Sequence, residues 1–180
     1  MESVRLNGKD FDELLSGKDI QQLVKSMGQK INEEYKEKNP IVVAVLDGAF
    51  MFAADLVRQF SFEHQFRFVK LSSYQGMESS GEITHHLDLD VDIQNRNILI
   101  IEDIVDTGVT LHHYNKKLQS SSPNSIEICA LLSKPNSLKH KDLHIKYCGK
   151  EIDDAFVIGY GLDWDYKGRH LPAIYQLRKD

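Results

Sequence analysis

Three near-continuous apolar runs divide the 180-residue chain, and each is followed by a short polar turn. They are IVVAVL at Ile41 to Leu46, ILII at Ile98 to Ile101 and IEICALL at Ile126 to Leu132. Such runs lack the polar alternation of a half-exposed sheet and predict strands covered on both faces, as in a parallel sheet. Helical patterns lie between them. From Lys18 to Lys38, Ile20, Leu23, Val24, Met27, Ile31 and Tyr35 recur at three- and four-residue spacing, which predicts a helix with one buried face. Asn39-Pro40 ends it, because a residue before proline avoids helical geometry. Shorter helices are expected from Phe50 to about Arg58 and from about Thr110 to Gln119. The recurrence of apolar strand, Gly-containing turn and helix predicts an α/β fold with right-handed crossovers.

The remaining segments are less regular. Met1 to Gly17 is mixed, with a short strand expected at Val4 to Leu6 before an Asn7-Gly8 turn. Phe62 to Leu71 alternates in part and predicts a further strand, as do His144 to Cys148 and Ala155 to Ile158. Ser72 to Gly81, SSYQGMESSG, is polar and reads as a long lid-like loop. Glu82 to Asp92 follows with the alternation HLDLDVD, expected as a hairpin strand of that lid. Gly159 to His170, GYGLDWDYKGRH, is too irregular for a helix. With no internal repeat or linker, a single domain spanning 1–180 is expected.

Composition narrows the function classes. Net charge is −5 and no basic cluster exceeds two adjacent residues, which argues against nucleic-acid binding by charge. No run of about 18 apolar residues is present, so no transmembrane helix is expected. The N-terminal stretch lacks the apolar core of a signal peptide, and Cys129 and Cys148 lack Cys-x-x-Cys spacing. A cytoplasmic protein with reduced thiols is the expectation.

Candidate chemistry concentrates in NILIIEDIVDTGVTL, Asn97 to Leu111. A buried strand runs into Glu102 and Asp103, and ligands of open α/β sheets bind at the carboxyl ends of strands. Asp106, Thr107, Gly108, Val109 and Thr110 then open a helix. Exposed N–H groups, Thr hydroxyls and a Gly that admits close approach suit a phosphate. Three carboxylates beside a phosphate seat call for Mg²⁺ or for sugar hydroxyls as intermediary. Solvated caps are the plain alternative for the acids, and helix capping is one for Asp106 and Thr107. Leu87 to Asp92 superficially resembles a phosphatase nucleophile motif, but its alternation predicts an exposed edge. His85-His86 and His112-His113 lack the spacing of a helical metal site and are expected on surfaces or helix faces. Neither a nucleotide-triphosphatase loop nor a Gly-x-Ser-x-Gly elbow is present.

ILIIEDIVDTGVTL resembles the ribosylpyrophosphate-binding signature of type I phosphoribosyltransferases. VAVLDGAFMFAADL, LSSYQGMESSGEI, LLSKP and FVIGYGLDWDYKGRHLP resemble successive segments of the hypoxanthine-guanine branch, in order, over roughly Ile41 to Leu177. The resemblance implies a type I phosphoribosyltransferase fold. Its central, mostly parallel sheet would be flanked by helices, with a flexible lid and a small hood from roughly 1–10 and 150–180. It implies purine salvage, moving a phosphoribosyl group from 5-phospho-α-D-ribose 1-diphosphate to hypoxanthine or guanine and giving IMP or GMP plus pyrophosphate. By that resemblance Glu102 and Asp103 hold the ribose and help position Mg²⁺, and Asp106 is the general acid/base. Asp106 to Thr110 bind the 5′-phosphate. Lys134 meets the purine oxo group, Phe156 stacks on the ring, and Val157 and Asp163 read its edge, Asp163 also holding a second Mg²⁺. Leu46, Asp47 and Gly48 match the pyrophosphate loop, Ser73-Tyr74 the lid tip, and Arg169 binds pyrophosphate. The family often carries Lys or Arg where Asp47 stands here. A homo-oligomer, dimer or tetramer, is implied, without nucleic-acid or membrane partners. Two alternatives are a regulatory protein that keeps the fold without catalysis, and a sibling enzyme acting on adenine or a pyrimidine. The full set of acids with Lys134 and Arg169 opposes the first, and Lys134 with the 156–163 segment opposes the second.

Overall fold

The computed structural model describes residues 2–73 and 83–178, and for 72, 73 and 83–86 the backbone alone. The lid expected over Ser72 to Gly81, with Tyr74 near its tip, therefore lies outside the described residues apart from the backbone of 72 and 73, and so do the His85-His86 side chains. In chain order the first elements are β1 (Ser3–Leu6), β2 (Lys9–Leu15), α1 (Gly17–Tyr35), β3 (Ile41–Leu46), α2 (Phe50–Val57) and β4 (Gln65–Ser73). There follow β5 (Ile83–Leu87), β6 (Asn97–Val105), α3 (Val109–Gln119), β7 (Ser125–Ser133) and β8 (Tyr147–Glu151). β9 (Val157–Ile158) and β10 (Ile174–Leu177) complete the chain.

Five parallel strands in the order β4-β3-β6-β7-β8 form the centre, and β5 adds an antiparallel edge to β4. The apolar runs are continuous because both faces are covered. Val42, Ala44, Leu99, Ile101, Cys129 and Leu131 pack with Val24, Ile31, Phe52 and Leu56 of α1 and α2. Their alternates Ile41, Val43, Val45, Ile98, Ile100 and Ala130 pack with Leu111, Tyr114 and Leu118 of α3. α1 begins before the expected Lys18 because Ser16 and Asp19 form a capping box, each side chain accepting the other's backbone N–H. Pairing of Ala44 with Ile101, and of Ile101 with Cys129, brings the carboxyl ends of β3, β6 and β7 to one edge.

A second, four-stranded sheet has the order β1-β2-β10-β9 and is wholly antiparallel. Its small core is Phe11, Ile158, Ala173 and Tyr175, with Trp164 packed against it. The strand β2 was not expected. Three of the seven residues of its sequence KDFDELL are acidic, and its partner β10 lies at the far end of the chain. The strand expected at His144 to Cys148 instead begins at Tyr147, since Leu143 is buried under the turn preceding α3. The strand expected through Asp92 stops at Leu87, and the Asp88–Asp92 alternation lies in a loop: Leu89 and Val91 pack on the core, while Asp90 pairs with Arg67 at 3.4 Å and Asp88 with Lys117. His112 is buried rather than exposed. It stacks on His140 at 3.9 Å with the planes 4° apart, and its Nδ1 lies 3.6 Å from Asp142. One ligand atom from each of His112, His140 and Asp142 lies within 4.8 Å of the others, close enough for a metal ion, and the stack packs the loop after β7 onto α3. Among the described residues no helix is long and apolar enough to cross a membrane.

Candidate active site

Consecutive strand residues point to opposite faces, yet Glu102 and Asp103 line one hollow of about 340 Å³ with Val45, Leu46, Gly48, Leu71, Thr110 and Leu111. They do so at the exposed end of β6, beyond its last pairing with β3 at Ile101. Asp103 Oδ1 accepts a hydrogen bond from its neighbour's amide, Ile104 N, at 2.9 Å. Glu102 Oε2 is buried with no hydrogen-bond partner among the described residues. Burial pushes the Glu102 carboxyl well above its usual range, and the Asp103 charge adds to the shift. Burial likewise raises Asp103 to about 6, against the opposing pull of the Ile104 amide. Two adjacent carboxylates, one lacking a donor, form a site short of positive charge.

A second hollow of about 140 Å³ adjoins the first through Glu102, Thr110 and Leu111 and is lined by Asp106, Thr107, Gly108 and Val109. Gly108 is the N-cap of α3 with φ 71°, a left-handed conformation that favours glycine. It supplies no capping side chain, so the first N–H groups of α3 face the hollow uncapped. A Cβ on Gly108 would come within 2.9 Å of Leu143 and 3.0 Å of Leu138. The loop carrying those leucines is tied down by Lys139 N donating to Thr107 O at 3.0 Å.

Lys134 leaves the end of β7 and is only 6 % exposed. Its amide donates to Val105 O at 2.9 Å, and its Nζ reaches Asp106 Oδ2 at 2.7 Å and Asp154 Oδ1 at 3.4 Å. One buried ammonium is thus shared by two partly exposed carboxylates. Two residues beyond Asp154, Phe156 is 45 % exposed. It is backed edge-on by Trp164 at 5.7 Å and by the buried Phe11 at 6.3 Å. Val157, in β9, pairs with Gln176.

Gly48 is the point where the first loop meets the C-terminal segment. A Cβ there would fall 1.7 Å from Asp103 Oδ2, and a Cβ on Gly161, whose φ is 100°, would fall 2.1 Å from the Gly48 carbonyl oxygen. The second needs glycine, because it meets backbone from a left-handed conformation, whereas a Cβ at Gly48 would displace the Asp103 carboxylate. Gly161→Ala is therefore expected to lower stability by about 2 kcal/mol or more, since strain and collision act together. Thermal unfolding checks this, and a midpoint equal to that of the parent would show that the two loops do not need the contact. Arg169 holds the same junction: Nη1 donates to Gly161 O at 2.7 Å, while Nη2 lies 2.9 Å from Asp163 and 3.9 Å from Asp47. Asp163 Oδ2 also accepts from Tyr166 N at 2.7 Å. Asp47 follows a cis peptide after Leu46 and accepts two hydrogen bonds from Lys70 Nζ, at 2.8 and 2.9 Å.

The family model of the phosphoribosyl transferase domain matches residues 10–167. The chain belongs to the phosphoribosyltransferase family. Among curated relatives, the hypoxanthine-guanine phosphoribosyltransferase of Staphylococcus epidermidis is 45% identical over 168 residues, 93% of each chain. The hypoxanthine-guanine-xanthine phosphoribosyltransferase of Tritrichomonas foetus is 37% identical over 161 residues, covering 89% of this chain and 88% of its own. A crystal structure of a hypoxanthine phosphoribosyltransferase from Staphylococcus aureus superposes with a TM-score of 0.88 at 42% identity, covering 93% of this chain and 91% of the other. The five parallel strands with flanking helices are the type I phosphoribosyltransferase fold.

Within that family fold, Leu46, Asp47, Gly48, Glu102, Asp103, Asp163 and Arg169 gather around one junction, and Asp106 to Thr110 and Lys134 adjoin it. Phe156 and Val157 belong to the second sheet and its approach. Ser73 ends β4 as backbone only, and Tyr74 is not among the described residues. Sequence reasoning missed Lys70, Asp154 and Phe11. Lys70 was in principle legible, because β3 and β4 in parallel register set it opposite Leu46. Asp154 and Phe11 carry no local signal and are defined by tertiary contacts alone.

Proposed function

We propose that the protein is a purine-salvage enzyme, a pentosyltransferase. It moves the 5-phosphoribosyl group of 5-phospho-α-D-ribose 1-diphosphate to hypoxanthine or guanine, yielding IMP or GMP and pyrophosphate. The observation that carries this reading is the buried Lys134 ammonium against Asp106, beside the uncapped start of α3. A fixed cation donor suits an oxo acceptor and meets an exocyclic amino group poorly, which favours 6-oxopurines over adenine. The N–H groups and hydroxyls from Asp106 to Thr110 take the 5′-phosphate.

In the transfer, the bond from the ribose anomeric carbon to the diphosphate oxygen breaks and the bond to purine N9 forms, with positive charge developing on the sugar. Asp103 and Asp106 favour that charge electrostatically. As N9 bonds to the ribose, Asp106 takes up the proton that the purine loses from N7. Arg169 neutralises the departing diphosphate, and the exposed face of Phe156 stacks on the purine while Val157 and Asp163 meet its edge. A hard divalent cation fits the acid pair, because Glu102 Oε2 is buried without a partner and the donors are carboxylate oxygens. Glu102 and Asp103 would hold Mg²⁺, with Asp163 for a second ion. Mg²⁺ supplies neutralisation of the diphosphate charge when bound. The lid tip, Ser73-Tyr74, would exclude water over this assembly.

We take the four-stranded sheet as the hood of a single 1–180 domain. Half-exposed Phe50 and Phe68 support a homo-oligomer, dimer or tetramer, and the free Cys129 and Cys148 support the cytoplasm as compartment. The deciding experiment is an assay with the phosphoribosyl donor, Mg²⁺ and each of hypoxanthine, guanine, xanthine and adenine. Nucleotide formation with hypoxanthine and guanine but not adenine is expected. Absence of turnover with both favoured bases would overturn the proposal.

A further inference from the structure

Asp47 poses a problem that its neighbours resolve. A carboxylate in a loop that meets a diphosphate is repulsive unless its charge is cancelled locally. Cancellation is provided from two sides. Lys70 Nζ donates to both Asp47 oxygens, at 2.9 and 2.8 Å, and Arg169 Nη2 stands 3.9 Å from Asp47 while pairing with Asp163 at 2.9 Å. Parallel register places Lys70 opposite Leu46, so its side chain reaches the mouth of the loop from the neighbouring strand. Leu71, the next residue, lines the same hollow as Gly48, Glu102 and Asp103.

We propose that Lys70, presented by Asp47, is a binding residue for the diphosphate end of the donor, and that Asp47 is its positioning residue. The inference rests on the reading of this hollow as the donor site. Two features leave Lys70 free to change partner. First, both partners are partly solvated, with the Lys70 side chain 42 % and the Asp47 side chain 38 % exposed, so their ion pair is weak and readily exchanged. Second, the lysine stem is flexible, and an arriving phosphate oxygen offers Nζ a stronger, charge-assisted partner close to where Asp47 already holds it. Asp47 thus fixes where the cation waits, and the cation removes the repulsion that Asp47 alone would exert. Arg169 stays anchored by Gly161 O and Asp163, which leaves Lys70 as the more mobile of the two cations.

The test is direct binding of inorganic pyrophosphate with Mg²⁺ by calorimetry on the full chain, together with the KM for each substrate. Lys70→Met is expected to weaken pyrophosphate binding and raise the donor KM about tenfold or more, with the hypoxanthine KM within twofold of the parent. Lys70→Arg should retain affinity. Exchanging the charges, Asp47→Lys with Lys70→Asp, should recover donor affinity to within a few-fold, an outcome that loss of folding cannot mimic. Pyrophosphate affinity in Lys70→Met within twofold of the parent would overturn the proposal. Failure of the parent protein itself to bind pyrophosphate would instead overturn the donor-site reading beneath it, so the two failures are distinguishable.

Discussion

Asp106→Asn is expected to slow nucleotide formation by about 10²–10⁴-fold, with far smaller changes in KM for either substrate. Asn has the same shape, still offers an oxygen to Lys134 and can still sit before the first turn of α3. What it cannot do is take up a proton from the purine. Asp106 is placed for that task by two constraints: the end of β6 fixes its backbone, and Lys134 Nζ fixes its Oδ2 at 2.7 Å. Because Lys134 keeps Asp154 at 3.4 Å, the substitution does not strand the buried ammonium, and the stability cost should stay near ~1 kcal/mol. Steady-state kinetics with hypoxanthine, alongside thermal unfolding, separates the two effects. Turnover within threefold of the parent would remove Asp106 from the chemistry.

The contrast between Asp106 and Asp47 shows which parts of the site a sequence can carry. Asp106 sits in a local signal, an apolar strand running into acids, Thr, Gly and a helix, and every feature that gives it meaning lies within a few residues. The strands β3, β6 and β7 were legible for a similar reason: burial on both faces writes itself as an unbroken apolar run. Asp47 has no such context. It reads as a defect in a phosphate-binding loop until β4 is laid beside β3 and Lys70 comes within 2.8 Å. Gly48 and Gly161 behave likewise. Each is an ordinary turn residue in sequence, and only their mutual approach shows why Gly161 excludes a Cβ and why one at Gly48 would displace the Asp103 carboxylate. The strand β2 was missed because its pairing with β1 and β10 lets one acidic-rich segment bury Phe11 and Leu15 alone. Where the information is a pairing between distant strands, a local pattern cannot hold it.

A second large effect is expected from Asp103→Asn, and it runs in opposite directions for stability and function. The folded-state pKa of Asp103 is about 6 against an ordinary 3.8, with burial as the main cause. The folded protein therefore holds this proton more tightly than the unfolded chain does. The stability associated with it is fully present below pH ~4 and is lost as pH rises through about 6. At pH 7.5 the ionised carboxylate costs the metal-free protein about 1–3 kcal/mol, allowing for partial exposure to the cleft. Asn carries no charge and fits the same contact with Gly48, so the variant should unfold at a higher temperature than the metal-free parent at pH 7.5. The difference should shrink as pH is lowered from 6 towards 4. Function should move the other way. On the proposed role, in which this carboxylate faces the developing positive charge and helps hold Mg²⁺, kcat/KM should fall by about 10²–10³-fold. Mg²⁺ with the phosphoribosyl donor should stabilise the parent against heat far more than the variant. Thermal unfolding across pH, with and without these ligands, reads all three effects. A stability difference that does not change between pH 4 and 7.5 would refute the burial cost, and a fully active variant would refute the role. The cost to the resting protein and the benefit to the loaded one have the same origin: two adjacent buried carboxylates, one of them without a hydrogen-bond donor.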